Sequence, residues 1–154
     1  TITAGNASSL SDGAAAIVIV SDEVAKDKQL KPFARIIGHT SYATEPLYFT
    51  KAPIYAIKKL FKKTGMNIDD IDLFEINEAF SCVTMAAVDE LKISYDKVNV
   101  NGGAVSMGHP IGASGTRILV TLMHALKARN LKYGIASLCI GGGEASAMLV
   151  EMVN

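Results

Sequence analysis

Tyr133-Gly-Ile-Ala-Ser-Leu-Cys-Ile-Gly-Gly-Gly-Glu-Ala-Ser-Ala-Met-Leu-Val-Glu-Met-Val153 carries the pattern that decides the fold. Two apolar runs, Tyr133 to Ile140 and Ala145 to Val153, meet through Gly141, Gly142 and Gly143. That pattern reads as two strands paired across a short turn. Upstream the chain alternates strand and helix. Ala14 to Val20 is a continuous apolar run, as in a strand covered on both faces. Ser21 suits the N-cap of a short helix ending near Lys28, and Phe33 to Gly38 is a second strand. After an irregular stretch with Pro46, Pro53 starts a helix that runs to Thr64 and closes at Gly65. Leu73 to Ile76 is a third strand, and Glu78 to Leu91 is helical, with apolar Phe80, Val83, Ala87, Val88 and Leu91. A glycine-rich segment, Asn101 to Gly115, opens a helix that reaches about Arg129. The expectation is one α/β domain over 1–154, a layered fold whose mixed, mostly parallel five-stranded sheet is covered by helices.

The 154 residues balance fifteen Lys and Arg against fifteen Asp and Glu, so the formal charge is zero. A nucleic-acid scaffold needs a basic surplus to neutralise phosphates, and a disordered chain needs fewer apolar residues than the 49% found here. No apolar run is long enough to span a membrane. The two cysteines, Cys82 and Cys139, form no CxxC pair, which predicts neither a disulfide framework nor a zinc ribbon. Reduced thiols and a cytoplasmic location follow as expectations, and no metal site is expected. The chain begins at Thr1 with no initiating Met. Its one-domain length is expected to be half of an enzyme rather than a small complete one.

Ligands of open α/β sheets sit beyond the carboxyl ends of strands. Three polar residues fall there: Asn77 after the third strand, Cys139 at the end of the next, and His109 in the glycine-rich loop between them. Gly103 and Gly108 have phosphate-loop spacing, but His109 and Pro110 stand where Lys and Ser or Thr belong, so that grip fails. Gly141 to Gly143 fails as a dinucleotide fingerprint, because no helix follows. Asp69, Asp70 and Asp72 lack the glycine and distal glutamate of a calcium loop. The lysines at 58, 59, 62 and 63 read as a solvated helix face, and Cys82 as a buried structural thiol. Taken singly, Asn77 is a good N-cap, His109 a loop-stabilising histidine and Cys139 a small strand-closing residue. Their joint placement among glycines points to a site.

Asn77-Glu-Ala-Phe80, Gly108-His-Pro-Ile-Gly-Ala-Ser-Gly115 and Cys139-Ile-Gly-Gly-Gly143, in this order, resemble the C-terminal half of a thiolase. Thr3-Ala-Gly-Asn-Ala-Ser8, Asp12-Gly-Ala-Ala-Ala16 and Asn99-Val-Asn-Gly-Gly-Ala104 are similar to that family as well, acetyl-CoA acetyltransferases above all. The resemblance implies a reversible Claisen condensation of two acetyl-CoA to acetoacetyl-CoA and free CoA. It makes Cys139 the general acid/base at the substrate Cα. His109 would activate the nucleophile and, with Asn77, form an oxyanion hole. Gly141 would lend its N–H to a second one, and Ala79 and Phe80 would border the pantetheine channel. No permanently bound cofactor is implied, only coenzyme A thioesters as substrates. The implied partners are the N-terminal half, which carries the acylating cysteine, and further copies in a homodimer or homotetramer. No residue here matches that cysteine, so the chain alone is expected to be inactive. A non-catalytic thiolase-like module, a ketoacyl synthase on the related fold and a 3-oxoacyl-CoA thiolase of longer chain preference are the alternatives.

Overall fold

In the computed structural model, which describes residues 1–153, the helices are α1 (Asp22–Asp27), α2 (Ala52–Thr64), α3 (Ser81–Leu91), α4 (Ala104–Met107) and α5 (Ser114–Arg129). The strands are β1 (Ala34–Ala43), β2 (Leu73–Ile76), β3 (Tyr133–Ile140) and β4 (Glu144–Met152). They form one sheet in the order β1-β4-β3-β2. β2 and β3 pair in parallel, whereas β4 is antiparallel to both β3 and β1. Three strands therefore share a direction and β4 opposes them, as expected of a closing hairpin.

The sheet is four-stranded rather than five-stranded. Ala14 to Val20 forms no strand, and Val18 and Ile19 are 90% and 68% exposed. A continuous apolar run reports that something buries it; it does not report what. Among the described residues, nothing pairs with this segment.

Strand alternation sends side chains to two layers. Phe74 and Ile76 of β2 join Ile135 and Cys139 of β3 and Ala145, Ala147 and Leu149 of β4 on the face covered by α2 and α3. Leu73, Ala136, Val150 and Met152 face α5, where Ile118, Leu122, Ala125 and Leu126 are buried. The spacing of those four residues is the i, i+4, i+7, i+8 stripe of a helix covering a sheet. Three of the four α2 lysines are tied locally: Lys58 pairs with Glu90 at 2.6 Å, and Lys59 and Lys63 donate to the Ser41 and His39 carbonyls at 3.0 Å. Among the described residues, no helix is long and apolar enough to cross a membrane.

The turn from β3 to β4 depends on Gly143. Its φ is +106°, and a Cβ there would collide with the carbonyl oxygen of Thr44, whose N–H donates to Gly143 O at 2.9 Å. Left-handed backbone and a backbone clash combine at one position. Gly143→Ala is expected to destabilise the chain by about 3 kcal/mol. The check is urea unfolding: the midpoint should fall with the slope unchanged, and an unmoved midpoint refutes the argument.

Candidate active site

The carboxyl ends of β2 and β3 deliver the polar residues to one edge of the sheet. Asn77 follows β2 directly, and its N–H donates to Ser137 O of β3 at 2.9 Å. It is 1% exposed. The next residues do not enter a helix at once, because the N-terminal segment pairs with them. Ala7 bridges Phe80 in antiparallel fashion, Ser8 N–H donates to Ala79 O at 3.0 Å, and Ser81 N–H donates to Asn6 O at 2.9 Å. Phe80 is extended, with φ −142°, and α3 begins only at Ser81. Asn77 is therefore no N-cap. Its carboxamide is free for another partner.

That partner is His109. Asn77 Nδ2 lies 3.3 Å from His109 Nε2, and His109 Nδ1 lies 2.6 Å from Ser114 Oγ. Ser114 Oγ donates its only proton to Pro110 O at 3.0 Å. The hydroxyl must then accept from the ring, so Nδ1 carries the proton and Nε2 presents its lone pair to Asn77 Nδ2–H. Burial and then the positive charge of Arg117 hold the imidazole below its usual range. His109 is thus a neutral base near pH 7, with its lone pair on Nε2, where Asn77 Nδ2–H is its partner.

Three contacts aim the loop that carries His109. Its N–H donates to Ser9 O at 3.1 Å, which ties the glycine-rich segment to the N-terminal segment. Glu78 reaches across from the β2–α3 connection and accepts from Val105 N–H at 3.0 Å, capping α4. The segment passes so close to Glu78 that a Cβ at Gly103 would collide with its carboxylate. This close approach accounts for the glycine at position 103. Leu10, Ser11, Asp12, His109 and Ile111 line an open cleft of about 440 Å³ beside the ring.

Cys139 lies two residues beyond Ser137 on β3 and is buried against the α2–α3 face. Burial pushes its thiol up to about 11, so it stays protonated at neutral pH. Desolvation by burial is the largest cause of that shift. Among the described residues, no hydrogen bond joins its sulfur to Asn77 or His109. Gly141 is exposed in the turn just past β3. Ala79 and Phe80 are half-buried, and Phe80 packs edge-on against Phe49 at 6.2 Å. Cys82 is exposed on the first turn of α3 rather than buried. Apolar neighbours in sequence do not decide which way a helical residue turns.

Sequence reasoning passed over Ser114, Glu78 and Glu75. Glu75 is the one charged residue in the strand Leu-Phe-Glu-Ile, which was its available signal. Its side chain is 2% exposed, and its Oε1 has no hydrogen-bond partner.

The chain is similar to known proteins along nearly its whole length. The family described as "Thiolase, C-terminal domain" matches residues 30–152. The probable acetyl-CoA acetyltransferase of Dictyostelium discoideum is 51% identical over 98% of this chain, which covers 36% of that protein. Acetyl-CoA acetyltransferase 2 of Arabidopsis thaliana is 53% identical over 99% of this chain and 38% of its own length. The crystal structure of the Bacillus anthracis acetyl-CoA acetyltransferase superposes with a TM-score of 0.96 at 48% identity, over 99% of this chain and 39% of that one. The chain thus spans little more than a third of the length of the relatives it matches. With most of its residues inside the family match and its fold shared with a solved member, the chain belongs to the thiolase C-terminal domain family.

Proposed function

We propose that this chain supplies the proton-transfer and oxyanion-holding part of an acetyl-CoA C-acetyltransferase, which joins two acetyl-CoA into acetoacetyl-CoA and CoA, reversibly. The observation that carries the reading is the His109 ring: Ser114 fixes Nδ1 as the donor, and Nε2 is left as a base 3.3 Å from Asn77 Nδ2. In the proposed reaction a cysteine outside this chain loses its proton to His109 Nε2 and takes the acetyl group, and CoA leaves as its thiol by taking the Cys139 proton, which leaves Cys139 a thiolate. Cys139, as thiolate, removes a Cα proton from the second acetyl-CoA. His109 Nε2–H, now a donor, and Asn77 face the thioester oxygen on which enolate charge develops. The enolate carbon forms the new C–C bond with the acetyl carbonyl, Gly141 N–H supports that second oxyanion, and the bond to the nucleophilic sulfur breaks, that sulfur taking its proton back from His109 Nε2. Ala79 and Phe80 flank the path of the pantetheine arm.

The raised affinity of Cys139 for its proton suits the cleavage direction, in which a thiol must protonate the departing enolate. Acetyl transfer is favoured over longer acyl chains because identities to acetyl-CoA acetyltransferases are near 50%, against 38% to human mitochondrial 3-ketoacyl-CoA thiolase. The relatives span compartments, the Bos taurus protein being mitochondrial, so they do not favour the cytoplasm. Coenzyme A itself is bound by the Ascaris suum thiolase, whose structure covers 99% of this chain at a TM-score of 0.90.

Leu10, Val18, Ile19 and Ile111, exposed at 93%, 90%, 68% and 72%, support a further body of protein covering part of this surface. The purified chain is expected to show no CoA-dependent loss of acetoacetyl-CoA, followed by its ultraviolet absorbance. Adding the remaining portion of a related acetyltransferase should restore it. Cleavage by the chain alone overturns the division of labour, and absence of turnover after full reassembly overturns the enzyme reading.

A further inference from the structure

Asn99 stands where the chain leaves the edge of the sheet. Val98 bridges Phe74 in the parallel sense, and Asn99 N–H donates to Phe74 O at 2.9 Å. Asn99 then turns left-handed, with φ 48°, and Gly102 N–H closes onto its carbonyl at 2.8 Å. The backbone has departed before reaching Ile76, the next residue on the outer edge of β2.

The Asn99 side chain takes over there. Ile76 N–H donates to Oδ1 at 2.9 Å, and Nδ2 donates to Ile76 O at 2.9 Å. A carboxamide thus does for Ile76 what a neighbouring strand would do, with one acceptor and one donor on one residue's peptide groups. Asn77 comes next, and its N–H is held from the other side by Ser137 O at 2.9 Å. The base of the Asn77 side chain is gripped on both edges. Toward its own C-terminus, the left-handed turn at Asn99 starts the segment that carries Gly103 past Glu78 and ends at His109.

We propose that Asn99 is a positioning residue for the reaction put forward above: its carboxamide clamp on Ile76 sets the angle from which Asn77 reaches His109. This rests on the catalytic reading of Asn77 and His109. Few residues satisfy both demands. Asn tolerates the left-handed backbone, and its side chain offers a donor and an acceptor within one short reach. Leu offers neither group, and an ionised Asp offers only acceptors.

Two variants separate clamp from backbone. Asn99→Gly keeps the left-handed turn and loses both side-chain bonds. Asn99→Asp, when ionised, sets a carboxylate against Ile76 O; when protonated, it regains a donor there. In the chain itself, the Asn77 side-chain amide signals are followed by ¹H–¹⁵N correlation spectra against the wild type at the same pH. They should be displaced in Asn99→Gly at both pH 7 and about pH 4, and displaced in Asn99→Asp at pH 7 but restored near pH 4, as the carboxyl takes its proton. A general loss of stability would not be rescued by acid. In an enzyme reassembled with the remaining portion of a relative, Asn99→Gly should lower kcat by about tenfold to a hundredfold with KM within about twofold. Should Asn99→Gly fail to fold, the acid rescue of Asn99→Asp carries the test. Wild-type Asn77 signals in Asn99→Gly, no acid rescue in Asn99→Asp, or an unchanged kcat overturns the proposal. If the reassembled wild type does not turn over, the functional reading fails while the spectra still decide the clamp.

Discussion

Replacing Cys139 by Ala in the reassembled enzyme is expected to lower turnover by about a thousandfold, the scale of a lost general acid/base. The loss should be confined to one stage. Acetyl transfer to the nucleophile uses a cysteine outside this chain and His109, and without Cys139 the departing CoA thiolate can take its proton from water, so isotope exchange between free CoA and acetyl-CoA should survive. Exchange of the acetyl-CoA methyl protons with deuterated water should disappear, because Cys139 is the group proposed to move them. Cys139→Ser keeps the shape and supplies a hydroxyl too weakly acidic for the task, so it should fare little better. Methyl-proton exchange that persists in Cys139→Ala assigns the proton transfer elsewhere. Substitution is the cleaner probe than alkylation, since Cys82 is exposed and Cys139 buried. With its thiol pushed up to about 11 by burial, Cys139 should support condensation progressively better as pH rises, and cleavage best below that value.

Glu75→Gln is expected to stabilise the chain at pH 8 by roughly 3 kcal/mol and to leave it unchanged near pH 4. Glu75 lies on the same side of β2 as Asn77 and shares the α5-facing layer with Arg117. Burial raises its carboxyl from 4.5 to about 7, with Arg117 opposing the shift. Among the described residues, no ion pair reaches it. Below about 4.5 the carboxyl is protonated in folded and unfolded chains alike, and it contributes nothing to the pH slope. Between 4.5 and 7 the folded state still holds the proton while the unfolded state has released it, so stability falls as pH rises. Above 7 the full cost of a buried carboxylate is present. Gln never ionises, so urea unfolding over this range should show a slope in the wild type that is missing in the variant. Parallel stability curves would mean that Glu75 titrates like an exposed carboxyl.

The sheet's hairpin and helices were legible because each rests on a local pattern. The apolar run from Tyr133, the glycines at 141–143 and the i, i+4, i+7 stripe of α5 are properties of neighbouring residues. Ala14 to Val20 shows the limit of such patterns. Its apolar run was visible, but a strand exists only with a partner, and among the described residues it has none. Cys82 was misread for a related reason: side-chain direction on α3 depends on where that helix starts. The start, Ser81, was set by Ala7 bridging Phe80 and not by Asn77.

By itself the sequence determined the family and the order of the motifs, and it pointed to Asn77, His109 and Cys139 as candidates, because polar residues at strand ends among glycines leave a recognisable spacing. Tertiary structure alone decided how these side chains are held. The proton on His109 Nδ1 follows from Ser114 and the Pro110 carbonyl, the grip on Ile76 from Asn99 twenty-three residues away, and the strong proton affinity of Cys139 from burial. Hydrogen bonding and desolvation depend on which atoms meet in space, and those meetings are made by elements far apart in the chain.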